Sequence, residues 1–141
     1  MSQYLCFYLK PKDWNHSLCF ATYSRNSDLY SAFTEALVVP FGEKMKIGYA
    51  DIAKVQEYAC EQIEQISRTL AIDYKIIQGQ VSWAGDDKVE CFEGMRANIQ
   101  EHERHLKEQQ QLLEEIKFFE RTASDIELGV TDFTEMQITI E

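Results

Sequence analysis

The chain has 141 residues, 45% of them hydrophobic and 12% aromatic, which is enough to bury a core without disulfides or metal and too apolar for a disordered segment. Its formal net charge of −10 argues against direct binding of nucleic acid or of an anionic membrane, and favours a basic protein partner. The charge is uneven, with nine acids and eight bases in residues 1–84 and fifteen acids and six bases in residues 85–141.

Tyr4–Leu9 is a continuous apolar and aromatic run that suits a buried strand, and Pro11–His16 breaks it with turn formers. A second run, Leu18–Tyr23, makes the pair an antiparallel hairpin. Cys6 and Cys19 lie inside these runs, where a free thiol behaves as a small hydrophobe. Neither they nor Cys60 and Cys91 form a CxxC pair, and no basic leader segment precedes the first run. Reduced thiols and a cytoplasmic location follow as the expectation. No apolar run approaches the roughly twenty residues of a membrane helix.

Asn26 or Ser27 caps a short helix from Asp28, whose apolar positions Leu29, Phe33, Ala36 and Leu37 recur every three or four residues until Pro40 ends it. Residues 40–50 hold two glycines and read as a loop with room for a brief strand. From Asp51, the series Ile52, Val55, Ala59, Ile63, Ile66, Leu70, Tyr74 and Ile77 predicts one long helix closed at Gly79. A strand over 74–83 is the alternative, which the unbroken helical spacing disfavours.

Asp87–Glu90 has the form of a capping box and opens a second long helix, from about Lys88 to Arg121. Its stripe runs Phe92, Met95, Ile99, Leu106, Leu113, Ile116 and Phe119, with His102 and Gln109 between, and Glu103 with Lys107 forms an i,i+4 pair outside. Counting back from the short connection pairs Ile77 with Phe92, Leu70 with Ile99, Ile63 with Leu106, and Ile52 with Ile116 or Lys117. On that register the second helix outruns the first, and Phe118-Phe119 onward covers the sheet. Ser124, Asp125 and Gly129 mark a break. The tail then alternates, with Met136, Ile138 and Ile140 on one face and Glu135, Gln137 and Thr139 on the other, as a third strand for the hairpin.

The predicted architecture is therefore α+β in a single domain, 1–141. Residues 1–50 supply the β-hairpin, short helix and loop, 51–123 a long antiparallel helical hairpin, and 130–141 the C-terminal strand. The helical hairpin either projects from the base or folds back on it.

No nucleophile elbow, phosphate-binding loop or dinucleotide fingerprint is present, and the six glycines are scattered. Glu101-His102-Glu103-Arg104-His105 is the one cluster with metal-ligand character. It lacks the HExxH and Glu-x-x-His spacings, so it reads as a helix-surface pair rather than a ligand set. No cofactor is expected. Trp14 and Trp83 fall in polar loops, where tryptophan is enriched at binding hot spots. Residues 120–141, with Glu120, Asp125, Glu127, Asp132, Glu135 and Glu141 opposed by Arg121 alone, are the most charged part of the chain, and with Glu114 and Glu115 they offer carboxylates to a basic partner.

These residues point to a non-catalytic protein-binding module, an acidic inhibitor of a basic nucleic-acid-handling host protein. In type it resembles small acidic intracellular proteins of phage or mobile elements that bind a larger host protein. A self-associating structural protein built on the helical hairpin is the second reading, giving a homo-oligomer. A small enzyme or ligand-binding domain with a pocket of scattered residues is the third.

Overall fold

A computed structural model describes residues 3–81 and 89–141. Trp83 and the Asp87 cap lie outside the described residues, as does the side chain of Phe92 in the expected pair with Ile77. The fold is α+β, with strands β1 (Tyr4–Pro11), β2 (Leu18–Ser24), β3 (Met45–Ile47) and β4 (Phe133–Ile140). The helices are α1 (Asp28–Ala36), α2 (Tyr49–Val81) and α3 (Val89–Leu128). All strand pairs are antiparallel, in the order β2-β1-β4-β3. Two compact units divide the chain, Met1–Ala59 with Leu112–Glu141, and Cys60–Gln111.

The first unit holds the sheet, α1, the start of α2 and the end of α3. Phe7 sits at its centre, opposite Ala21 on β2 and Ile138 on β4. The Phe119 ring stacks on Phe7 at a centroid distance of 4.2 Å, and the edge of Phe33 meets Phe7 at 5.0 Å. Ile52, Val55 and Ala59 of α2 and Leu112, Ile116 and Ala123 of α3 complete this core, each nearly or fully buried. Burying that many large apolar side chains, at about 1.5–3 kcal/mol each, is the main force holding the unit together.

Local chemistry sets the helix ends. Ser27 caps α1 by accepting the Tyr30 N–H, while the extended backbone at Leu37 stops it three residues ahead of Pro40. The α2 start is at Tyr49, not Asp51. Asp51 is instead the third residue in, and its carboxylate accepts the Gly48 N–H at 2.9 Å, a capping-box bond from inside the helix. At the other end α2 runs through Gly79 to Val81, so no strand forms over 74–81.

The expected break at Ser124-Asp125 is likewise absent, because α3 continues to Leu128. Ala123 is buried in the core and Ile126 packs against it, and that packing outweighs the weak helix propensity of Ser124 and Asp125. Gly129 then ends the helix at φ +69°, with its N–H on the Ile126 carbonyl and the Val130 N–H on that of Asp125. This is a Schellman closure.

Two side chains of the sheet depart from expectation. Thr139, on the face expected to be wet, is buried because Pro40–Gly42 runs beside it, with the Ile140 N–H on the Pro40 carbonyl and the Gly42 N–H on that of Ile140. Cys19 is exposed rather than packed, whereas Cys6 is buried.

The second unit consists of the remainder of α2 and α3. Its contacts also correct the helix register. Asp73 meets His102 Nδ1 at 2.7 Å, and the Tyr74 hydroxyl donates to Glu103. In the first unit, Gln56 donates to Glu120 and the Tyr49 N–H donates to Glu127 at 3.2 Å. The partners in both units are displaced by about seven residues from the expected pairing, so Leu70 lies beside Leu106 rather than opposite Ile99. There is no overhang of α3, since the first residue of α2 already reaches Glu127. Seven residues are about two helical turns, so the slip leaves the same faces in contact and changes only which residues meet.

Candidate functional site

The sites singled out from sequence divide into those consumed by the fold and those left to solvent. Glu120 accepts hydrogen bonds from Gln56 and from the Tyr49 hydroxyl at 3.3 Å, and Glu127 accepts the Tyr49 N–H. Both therefore fasten the first turns of α2 to α3. Trp14 follows β1 and is 47% exposed, its ring 5.1 Å from that of His16.

Glu114, Glu115 and Asp125 face outward from α3. Spacings of three, four, seven and eleven residues put Glu114, Phe118, Arg121 and Asp125 on one side of the helix, with Glu115 at its margin. Glu114 pairs with Lys117 at 2.9 Å. Glu115 lies close enough to Tyr23 on β2 that its charge, after burial, helps hold the Tyr23 hydroxyl above its ordinary pKa.

Phe118 is the residue that sequence reasoning misplaced. Phe119 enters the core, but Phe118 is 55% exposed and its ring stands 6.4 Å from Phe20 of β2. Two adjacent phenylalanines on a helix point about 100° apart, so only one of them can face the sheet.

Beside Phe118 runs the outer edge of β2. The strand is terminal in the sheet, and among the described residues the backbone bond to its outer side is at its end, where the Ser24 carbonyl accepts the Ser27 N–H. Its sequence, Leu-Cys-Phe-Ala-Thr-Tyr-Ser, contains neither a charge nor a proline. Those are the devices that usually blunt an exposed edge. An edge strand whose outward-pointing N–H and C=O groups are open up to Ser24, an exposed phenylalanine and two outward glutamates thus lie together in the first unit.

The outer face of the sheet carries a second feature. Tyr8 donates to Glu141 at 2.6 Å beneath the Lys44 ammonium, which sits 4.1 Å from the ring centroid. Burial, with the nearby Glu141 charge, pushes the Cys6 thiol up from 9.0 to about 11. Cys6 is therefore protonated at neutral pH and a poor nucleophile.

In the second unit, an open groove of about 420 Å³ lies between α2 and α3. Leu70, Ala71 and Tyr74 line one side, and Leu106 with Glu103 and Lys107 the other. The Glu103–Lys107 pair expected from sequence is not formed. Glu103 accepts the Tyr74 hydroxyl instead, and among the described residues Lys107 has no carboxylate within salt-bridge distance. Within the histidine-containing cluster, Arg104 bridges Glu101 and Glu108 while His102 is engaged with Asp73.

No protein-family model, curated protein or solved structure matches the chain. Among the described residues, no helix is long and apolar enough to cross a membrane.

Proposed function

We propose that this chain is a non-catalytic protein-binding module whose partner presents an extended, basic segment. The observation that carries the reading is the open, uncharged edge of β2 lying against exposed Phe118 and the outward carboxylates of Glu114 and Glu115. An extended peptide adds to such an edge through main-chain hydrogen bonds, and its side chains supply specificity. Apolar residues of the added strand meet Phe118 and Phe20, and lysine or arginine residues meet the glutamates and Asp125. A nucleic-acid-handling protein has segments of this composition. A basic segment held in this way is unavailable to nucleic acid, so the module acts on such a partner as an inhibitor.

The test is selection of random ten-residue peptides on the folded protein, followed by amide chemical-shift mapping of the best binder. Enriched peptides should alternate apolar residues with lysine or arginine, and the shifts should fall on β2 and on residues 114–125. Glu114→Lys with Glu115→Lys should weaken binding about tenfold or more and flatten its salt dependence. Phe118→Ala should also weaken binding while changing stability by less than about 1 kcal/mol. Peptides without a basic excess, or an affinity indifferent to both sets of substitutions, would overturn the reading.

A further inference from the structure

We propose that two copies of this chain pair antiparallel through the groove of the second unit, burying Ala71, Tyr74 and Leu106 against the same residues of the other copy. The surface is separate from the β2 edge, so the inference stands or falls independently of the partner proposed above.

The second unit has reason to recruit another layer. Among its described residues only two apolar side chains, Leu70 and Ile99, are buried, together with Gln109. A pair of helices has little core of its own, and helical stability in water comes chiefly from packing an apolar face against something. Yet the groove leaves Leu106 half-buried and Ala71 exposed, while Tyr74 is 41% exposed on its rim. Apolar surface thus lines the place where a two-helix unit meets solvent.

Charge identifies the occupant. The groove holds one carboxylate, Glu103, and one ammonium, Lys107, one helical turn apart on α3. Its formal charge is zero in a chain of −10, so it offers nothing particular to a basic protein. It does match itself. A twofold axis passing between residues 103 and 107 sets Lys107 of each copy opposite Glu103 of the other, making two cross-copy ion pairs. A parallel arrangement sets Glu103 on Glu103 and Lys107 on Lys107 and is repelled. Interfaces built on a twofold axis are self-complementary in this sense. Lys107, which has no carboxylate partner among the described residues, gains one in the pair, and four helices then surround a shared apolar seam.

The experiment is sedimentation equilibrium of the full chain over a wide concentration range, with circular dichroism on every sample. The unaltered chain should dimerise. Lys107→Glu and Glu103→Lys should each weaken dimerisation by about tenfold, because each places two like-charge contacts at the interface. The double variant, Glu103→Lys with Lys107→Glu, should restore it, since exchanging the two charges preserves the match. Lys107→Glu should leave helical content unchanged, while Glu103→Lys also gives up the Tyr74 hydroxyl contact, so its dimerisation is read only on samples whose circular dichroism matches the unaltered chain. A chain that stays monomeric at millimolar concentration overturns the proposal. So does a dimer indifferent to Lys107→Glu, or one that the double exchange fails to rescue.

Discussion

The two units share the same pair of helices and differ in what fills the space between and beneath them. In the first, α2 and α3 close over a sheet, and Phe7, Phe33 and Phe119 meet in a buried aromatic cluster with Ile52, Val55 and Ile116 around it. In the second, the same helices face each other with Leu70 and Ile99, a carboxylate–imidazole contact between Asp73 and His102, and a buried glutamine. Gln109 is only 7% exposed and, among the described residues, its amide has no hydrogen-bond partner. Helical periodicity is continuous across both units, so periodicity alone does not measure how well a helix is held. What matters is the number of large apolar groups that a third element covers.

The largest effect that would break or sharpen this contrast is at Phe119. Phe119→Ala removes a fully buried ring that contacts Phe7, Phe33 and Tyr23, and should cost about 3–5 kcal/mol in urea denaturation. A loss below about 1 kcal/mol would mean that the aromatic cluster is not what stabilises the first unit.

Leu70→Ala comes next, at about 2–3 kcal/mol. Its signature is spatial. Native-state hydrogen exchange should quicken about thirtyfold or more for amides of residues 62–78, while those of β1 and β4 keep their protection. Equal acceleration in the sheet would show that the two units open as one, and the comparison would lose its meaning.

The smallest effect has the opposite sign. Gln109→Leu replaces a buried amide that lacks a protein partner with a side chain of similar size, and should stabilise the chain by about 1 kcal/mol in thermal or urea melts. Destabilisation would indicate that the amide is satisfied by an ordered water.

Much of the fold was legible in the residues. The hairpin, the Ser27-capped α1, the two long helices and the C-terminal strand each have a local signal in periodicity or capping chemistry, and the alternation of Met136 and Ile138 placed the right face of β4 inward. Helix ends were less legible. Asp51 stands just ahead of the periodic series, yet it is the third residue of α2 and acts back on the Gly48 N–H. Ser124 and Asp125 carry weak helix propensity, and the burial of Ala123 overrides it. The candidate site was least legible. Glu120 and Glu127 are as acidic as Glu115, and nothing in the sequence announced that two of these three fasten helices together.

By itself the sequence determined the main inward face of the long helices and of β4, because that follows from spacings of two, three and four residues along one chain, while Thr139, Cys19 and Phe118 were placed by their neighbours. Only the tertiary structure decided which residues meet across the pair. A heptad slip presents the same apolar face, so hydrophobic burial hardly distinguishes the two registers. In the observed register the polar seam residues Asp73 and His102 find each other, as do Tyr74 with Glu103 and Gln56 with Glu120. In the alternative, seven residues away, Asp73 and His102 are separated, and polar groups left unpaired in a seam are what a helix pair least tolerates.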